Sequence, residues 1–190
     1  KSERRFDAAT ECGIVAHTPR ADRIDFVAQL ASNWARLAQT TPSERRVCLV
    51  LANYPNKDGR IGNGVGLDTP ESAVRLLEAM RSEGYTLDAL PADGAALITA
   101  LQAGPTNAMA AHAKSSGGAR FTLDDYRDFL AGLDFEARAR VSERWGAPEA
   151  DPFYRREEKS FALPVLSFGN ITVAIQPARG YNIDPAASYH

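Results

Sequence analysis

The sequence has little of what most catalytic signatures are built from. It holds two cysteines and three histidines in 190 residues. Cys12 and Cys48 show no Cys-x-x-Cys spacing, and neither His-Glu-x-x-His nor His-x-x-Glu-His occurs, so no disulfide framework and no self-contained metal site is supported. The absence of a Gly-x-Ser-x-Gly elbow and of a recognisable Cys/His pair leaves hydrolase chemistry without support. A Walker-type Gly-Lys-Ser/Thr ending is missing too. The apolar runs are short and interrupted, so none spans a bilayer. A net charge of -2 gives no reason to expect a nucleic acid or an anionic membrane as partner. There is no internal repeat and no extended low-complexity segment.

What remains is ordinary globular composition, 44% hydrophobic and 24% charged, in a length that fits one domain with an irregular attachment. Both cysteines lie in apolar strings, Cys-Gly-Ile-Val and Val-Cys-Leu-Val, and are expected as buried free thiols in a reducing, cytoplasmic compartment. Lys1 is followed by no charged-then-apolar leader, and Tyr189-His190 follows directly on a Gly/Pro-punctuated motif. Both ends are expected to be cuts within a longer protein.

Periodicity predicts alternating strands and helices. Cys12–Ala16 reads as a short strand. Ile24, Val27, Leu30, Ala31, Trp34, Leu37 and Ala38 then recur at helical steps, with Asp22 as the expected cap and Thr40-Thr41-Pro42 as the stop. Val47–Ala52 has the continuous apolar pattern of a strand covered on both faces. Thr69-Pro70-Glu71 starts a helix with Thr69 as cap, and Gly84 ends it. Tyr85–Leu90 reads as a further strand, and Asp93 caps a helix that stops at Gly104. Residues 105–120 are rich in Ala, Ser and Gly and are expected to form a mobile loop. Thr122 to Asp125 resembles a capping box, opening the first of two helices, the second running over Phe135–Trp145. Trp34 and Trp145 are expected in the core or at a domain contact. Phe161–Gln176 carries two apolar strings around Gly169-Asn170, a hairpin turn pair.

The expected fold is therefore α/β, a mostly parallel sheet flanked by helices in Rossmann-like layers, with a helical insertion and a C-terminal hairpin. The βα units occupy 11–104, the loop and helical insertion 105–160, and the hairpin with its following motif 161–190.

Two segments carry candidate chemistry. The loop from Asn53 and Tyr54 to Asp68 has four glycines, Gly59, Gly62, Gly64 and Gly66, within eight residues, which permits positive φ and close backbone approach to a ligand. It leaves the carboxyl end of a strand and ends at a helix start, where open α/β sheets bind ligands and where N–H groups favour anions. The same residues also suit a long tight turn with no ligand. The second segment is Gln176-Pro177-Ala178-Arg179-Gly180-Tyr181-Asn182-Ile183-Asp184. Its Arg179 has the planar fork that pairs with carboxylates; the alternative is a strand exit that satisfies its own backbone. His112 lies in the Ala-rich loop, and His17 ends a strand.

These residues resemble a known family. Val50-Leu51-Ala52-Asn53-Tyr54-Pro55-Asn56, then Gly62-Asn63-Gly64-Val65-Gly66-Leu67-Asp68-Thr69-Pro70 and Gly84-Tyr85, are similar to the large subunit of aerobic cobaltochelatase. Asp22-Arg23-Ile24, Trp34-Ala35-Arg36-Leu37, Gly169-Asn170-Ile171-Thr172-Val173 and Gln176-Pro177 through Tyr189-His190 fit in the same order, so the resemblance covers almost the whole chain. The wider family includes the large subunit of magnesium chelatase, but the Asn-Tyr-Pro and Gly-Leu-Asp-Thr-Pro wording is that of the cobalt enzyme.

The resemblance implies insertion of Co(II), as substrate metal, into hydrogenobyrinic acid a,c-diamide on the route to cobalamin. It implies an AAA+ ATPase partner subunit and a partner with an integrin-like domain, with ATP and Mg handled there. Asn53, Tyr54, Gly62, Asn63, Gly66, Gln176, Arg179 and Tyr181 become candidates for holding the tetrapyrrole. Asp68, Asp184 and His190 become candidates for proton acceptance or metal handover. Three alternatives stay open: a magnesium chelatase domain, a non-catalytic interaction module of the same complex, and an unrelated domain that binds a nucleotide or small anion on the glycine loop.

Overall fold

The computed structural model describes residues 2–54, 58–108, 119–178, 184 and 186. The chain divides into two compact units, Lys1–Thr41 and Pro42–His190.

The first unit is a hairpin and a helix. Strands β1 (Ser2–Asp7) and β2 (Cys12–His17) pair antiparallel, from Ser2 opposite His17 to Asp7 opposite Cys12. Helix α1 (Ala21–Gln39) follows, and none of its residues is buried. Asp22 is not its cap. Arg20 holds that position without a side-chain bond, and Asp22 sits in the first turn, paired with Arg20 at 2.9 Å. The strand expected near Cys12 therefore forms, but with β1, whose charged sequence Ser-Glu-Arg-Arg gave no apolar signal.

The second unit holds the core. Strands β3 (Val47–Leu51), β7 (Val165–Phe168) and β8 (Ile171–Ile175) form a sheet in the order β3-β8-β7. β3 runs parallel to β8, from Val47 opposite Ile171 to Leu51 opposite Ile175, and β7 pairs antiparallel with β8 as the predicted hairpin. Its turn uses Gly169 at φ +62°, and the Asn170 amide donates to the Ser43 carbonyl at 3.0 Å, tying the turn to the segment before β3.

Helices α2 (Thr69–Ser82) and α3 (Gly94–Ala103) supply the opposing layer. Val74, Leu77 and Leu97 meet Ile171, Val173 and Ile175 in one cluster, each large side chain contributing about 1.5–3 kcal/mol on burial. The starts of the two helices touch: Glu71 Oε2 accepts the Gly94 N–H at 2.8 Å. A Cβ on Gly94 would lie 2.5 Å from the Glu71 nitrogen, so only glycine permits this approach.

A separate sheet joins β4 (Arg120–Thr122), β5 (Tyr154–Arg155) and β6 (Ser160–Ala162), in the order β4-β6-β5, all antiparallel. Helices α4 (Leu123–Ala131) and α5 (Phe135–Trp145) lie between β4 and β5 in sequence. The Thr122 hydroxyl caps α4 by accepting the Asp125 N–H at 3.1 Å, and itself donates to the Asp125 carboxylate at 2.6 Å. Tyr126 packs against Phe121 and Phe161. Burial, helped by the nearby Asp151 charge, pushes the Tyr126 hydroxyl above its ordinary pKa.

The fold is mixed α/β, but the mostly parallel Rossmann-like sheet is not what forms. Among the described residues β3·β8 is the one parallel pairing. Tyr85–Leu90 is not a strand, because its polar groups serve the β7–β8 turn: the Thr86 carbonyl accepts from Asn170 N at 3.0 Å, and the Asp88 carboxylate from Gly169 N at 2.9 Å. β3 is an edge strand with one open face, which leaves Val50 58% exposed and Cys48 exposed. Cys12 is exposed as well. Both thiols are free, as expected, but neither is buried. Trp34 and Trp145 are not core residues either, at 65% and 41% exposure; Trp145 carries the Arg144 guanidinium 4.9 Å above its ring.

Candidate functional site

Parallel pairing has a direct consequence: β3 and β8 end on the same side, so Asn53 and Gln176 leave the sheet side by side. The ladder continues one step beyond the last pair, where Gln176 N donates to the Leu51 carbonyl at 2.8 Å. The chain after Asn53 folds back at once. Asn53 bridges antiparallel to Ile61, and Gly62 N donates to the Ala52 carbonyl at 2.7 Å. Gly62 holds φ +71° with Pro70 close by, and Gly66 holds φ +73° in open space. Positive φ at both positions is what the run of glycines provides.

Two residues that the sequence pattern did not single out join this end of the sheet. Thr106 and Asn107, assigned above to the start of a mobile loop, are buried at 2% and 5% exposure. The Asn107 amide donates to the Gln176 carbonyl at 2.7 Å, and the Thr106 hydroxyl accepts the Ala108 N–H at 3.2 Å. Pro105-Thr106-Asn107 directly after the Gly104 stop was the available signal, a turn sequence adjoining the core. Asn53 is itself 2% exposed. Three of the four buried polar residues among those described thus belong to the segments that adjoin these two strand ends.

The other expected residues are distributed less compactly. Tyr54 is half exposed, and Asn63 lies on the surface of the glycine loop. Val65 and Leu67 on the same loop are exposed too. Asp68 is the cap of α2, accepting the Glu71 N–H at 3.1 Å; Thr69, read above as that cap, is the first helical residue. Asp184 pairs with Arg144 of α5 at 3.1 Å. Both acids therefore have structural partners, and no described contact joins either to Asn53. Arg179, Tyr181 and His190 lie outside the described residues, as does His112 with most of its loop, 109–118. Among the described residues no group of three or more His, Cys, Asp or Glu could hold a metal ion, and no helix is long and apolar enough to cross a membrane.

Among the described residues, grooves open elsewhere as well. One, of about 480 Å³, lies between the starts of α2 and α3 and is edged by Asp68, Glu71 and Asp93. These acids are occupied as caps or by the Gly94 N–H. The larger, about 610 Å³, lies at the amino end of β3 beside Arg46, Asn170 and Thr172. Neither groove is lined by Asn53 or Gln176.

A family model described as CobN/Magnesium Chelatase matches residues 2–190. The chain belongs to this family. Within it, the chain is 52% identical over 185 residues to the aerobic cobaltochelatase subunit CobN of a Sinorhizobium species, covering 97% of this chain and 14% of that protein. It is 46% identical over 181 residues to the CobN subunit of Pseudomonas aeruginosa, covering 95% of this chain and 14% of the relative. A magnesium-chelatase subunit of Chlorobaculum parvum is 29% identical over 164 residues, 86% of this chain and 12% of that protein. The solved catalytic subunit of cobaltochelatase from Mycobacterium tuberculosis superposes with a TM-score of 0.75 at 37% identity, covering 100% of this chain and 15% of that one. The CobN/magnesium chelatase chain described here thus spans about one seventh of the length of its CobN relatives.

Proposed function

We propose that the chain is part of the large subunit of an aerobic cobaltochelatase, an ATP-dependent ligase of cobalamin biosynthesis. Co(II) and hydrogenobyrinic acid a,c-diamide are then its substrates, both held by the large subunit. An AAA+ ATPase subunit and a subunit with an integrin-like domain are the partners, with ATP and Mg turned over there, in the cytoplasm. The observation that carries this reading is the gap in identity. The chain shares 52% and 46% with the two CobN proteins, against 29% and 30% with the magnesium-chelatase relatives of Chlorobaculum parvum and Cereibacter sphaeroides.

The chemistry asks for two things from a protein. The hydrated cation must shed ligands, and the macrocycle must deform and lose its pyrrolic protons. A substrate rimmed with carboxylates and amides is anchored by groups that match them. Arg179 suits a carboxylate through two parallel hydrogen bonds. Asn53, Tyr54, Asn63, Gln176, Tyr181 and the backbone at Gly62 and Gly66 suit amides and carbonyls. Asp68, Asp184 and His190 are the proposed proton acceptors or metal carriers. For Asp68 and Asp184 that role means exchanging their present partners, the Glu71 N–H and Arg144, for the substrate.

The test is absorbance titration of the full-length subunit with the a,c-diamide, followed by Co(II) insertion with the partner subunits and ATP. Arg179→Ala is expected to weaken binding, and undiminished affinity would remove its anchoring role. Insertion of Mg(II) in preference to Co(II) would favour the magnesium chelatase reading instead. The 190 residues alone are expected neither to insert cobalt nor to hydrolyse ATP.

A further inference from the structure

Asn53 is the one described residue whose side chain is buried with both polar atoms unpartnered. Neither its amide nitrogen nor its carbonyl oxygen has a hydrogen bond, at 2% exposure. The other buried atoms in that state are single ones: one carboxylate oxygen of Asp58, the Ser160 hydroxyl and the Asn170 oxygen, whose amide nitrogen is used three times. Of the other buried polar residues, Asn107 donates to the Gln176 carbonyl and the Thr106 hydroxyl accepts from Ala108 N–H. A buried amide left without partners is costly, and such a group calls for an explanation in the form of a ligand, a water or a strained site.

The geometry points to Asn53 as the residue that recognises a primary carboxamide on the bound ligand. An Asn side chain offers one acceptor and two donors side by side. A second primary amide has the complementary pair and closes two antiparallel hydrogen bonds with it. A carboxylate at neutral pH can accept from the nitrogen, but it sets its own oxygen against the Asn53 oxygen. Asn53 therefore favours an amide and rejects the ionised acid of the same shape. It continues the odd-numbered residues of β3, Leu49 and Leu51, which pack into the core, and that register accounts for its burial at the carboxyl end of a parallel pair.

This assignment rests on the tetrapyrrole reading above, and the experiment separates the two. The full-length subunit is titrated with hydrogenobyrinic acid a,c-diamide and with the corresponding acid that carries carboxylates in place of the two amides. Wild type is expected to prefer the diamide by about ten- to a hundredfold, the penalty of one mispaired buried polar group. Asn53→Leu, with the same branching and no polar atoms, is expected to bring that ratio close to one. Asn53→Ala, smaller and likewise without polar atoms, reads the same ratio should the leucine variant not fold. A preference that survives in both variants, or two affinities that fall by the same factor, would assign Asn53 to a water or to structure and overturn the proposal. A wild-type subunit that binds neither compound would instead sink the tetrapyrrole reading itself.

Discussion

Residues 42–190 close a core around Leu77, Leu97, Ile171 and Val173, all fully buried, whereas residues 2–41 contain no buried side chain at all. The difference does not lie in local pattern. α1 and α2 both carry an apolar stripe at helical spacing, α1 through Ile24, Val27, Leu30, Trp34 and Leu37 and α2 through Ala73, Val74 and Leu77. Those five α1 residues are 45–65% exposed, and the three α2 residues are at most 7% exposed. Amphipathicity produces a helix with a face, but burial needs a second layer. The β7–β8 hairpin and β3 give α2 that layer.

The largest effect that would break the comparison is a pair of truncations. Leu77→Ala should cost about 2–5 kcal/mol, the range for opening a cavity in a packed core. Trp34→Ala on α1 should stay within about 0.5 kcal/mol, as for a surface change. Urea unfolding of the 190-residue chain measures both. Equal losses would mean that α1 is covered after all.

Much of the second unit was legible because its signals are local. The caps Asp93 and Thr122, the glycine stops at Gly84 and Gly104, and the Gly169-Asn170 turn act within a few residues, and each is found where the pattern placed it. What the pattern missed depends on distant partners. β3 meets β8 across more than a hundred residues, so nothing near Val47 announces an edge strand with one open face. Tyr85–Leu90 has strand-like composition, yet the nearby turn takes up its hydrogen bonds. The site was legible in half. Asn53 and Gln176 stood out as polar residues at strand ends, and parallel pairing brings them together. Thr106 and Asn107 were hidden by the Ala- and Ser-rich run that follows them, and the capping role of Asp68 was displaced by one residue onto Thr69.

A second pair sharpens the comparison at the glycines. An alanine side chain at Gly94 would meet the Glu71 nitrogen at 2.5 Å and the Pro70 carbonyl carbon at 2.9 Å, both backbone atoms that cannot swing away. Gly94→Ala should therefore cost about 1–3 kcal/mol, as for overpacking. Gly13 on β2 has nothing within 4 Å of the same position. Gly13→Ala should be neutral or gain about 0.4–1 kcal/mol through the unfolded chain. Thermal melts of the two variants check the contrast, and a loss at Gly13 comparable to that at Gly94 would show the hairpin to be packed.

The smallest effect concerns how the open unit holds its helix start. Without a side-chain cap, the first turn of α1 relies on Asp22, a negative charge near the positive end of the helix. The hydrogen bond from Arg20 is the main reason that the Asp22 carboxyl lies below its ordinary value of 3.8; desolvation opposes it, and the charges of Arg20 and Arg23 and a backbone hydrogen bond from Arg23 add to it. A carboxyl depressed in the folded state stabilises above its unfolded pKa, and that contribution fades as pH falls through the lower, folded value. The contribution of Asp22 to the start of α1 should thus be lost as pH falls through the ordinary carboxyl value of 3.8 and below it. The carboxylate is more than half exposed, so salt should shrink the effect. An NMR titration of the Asp22 side chain reads it directly: Arg20→Ala should move the midpoint up toward 3.8, and an unmoved midpoint would leave the α1 start held by the helix backbone alone.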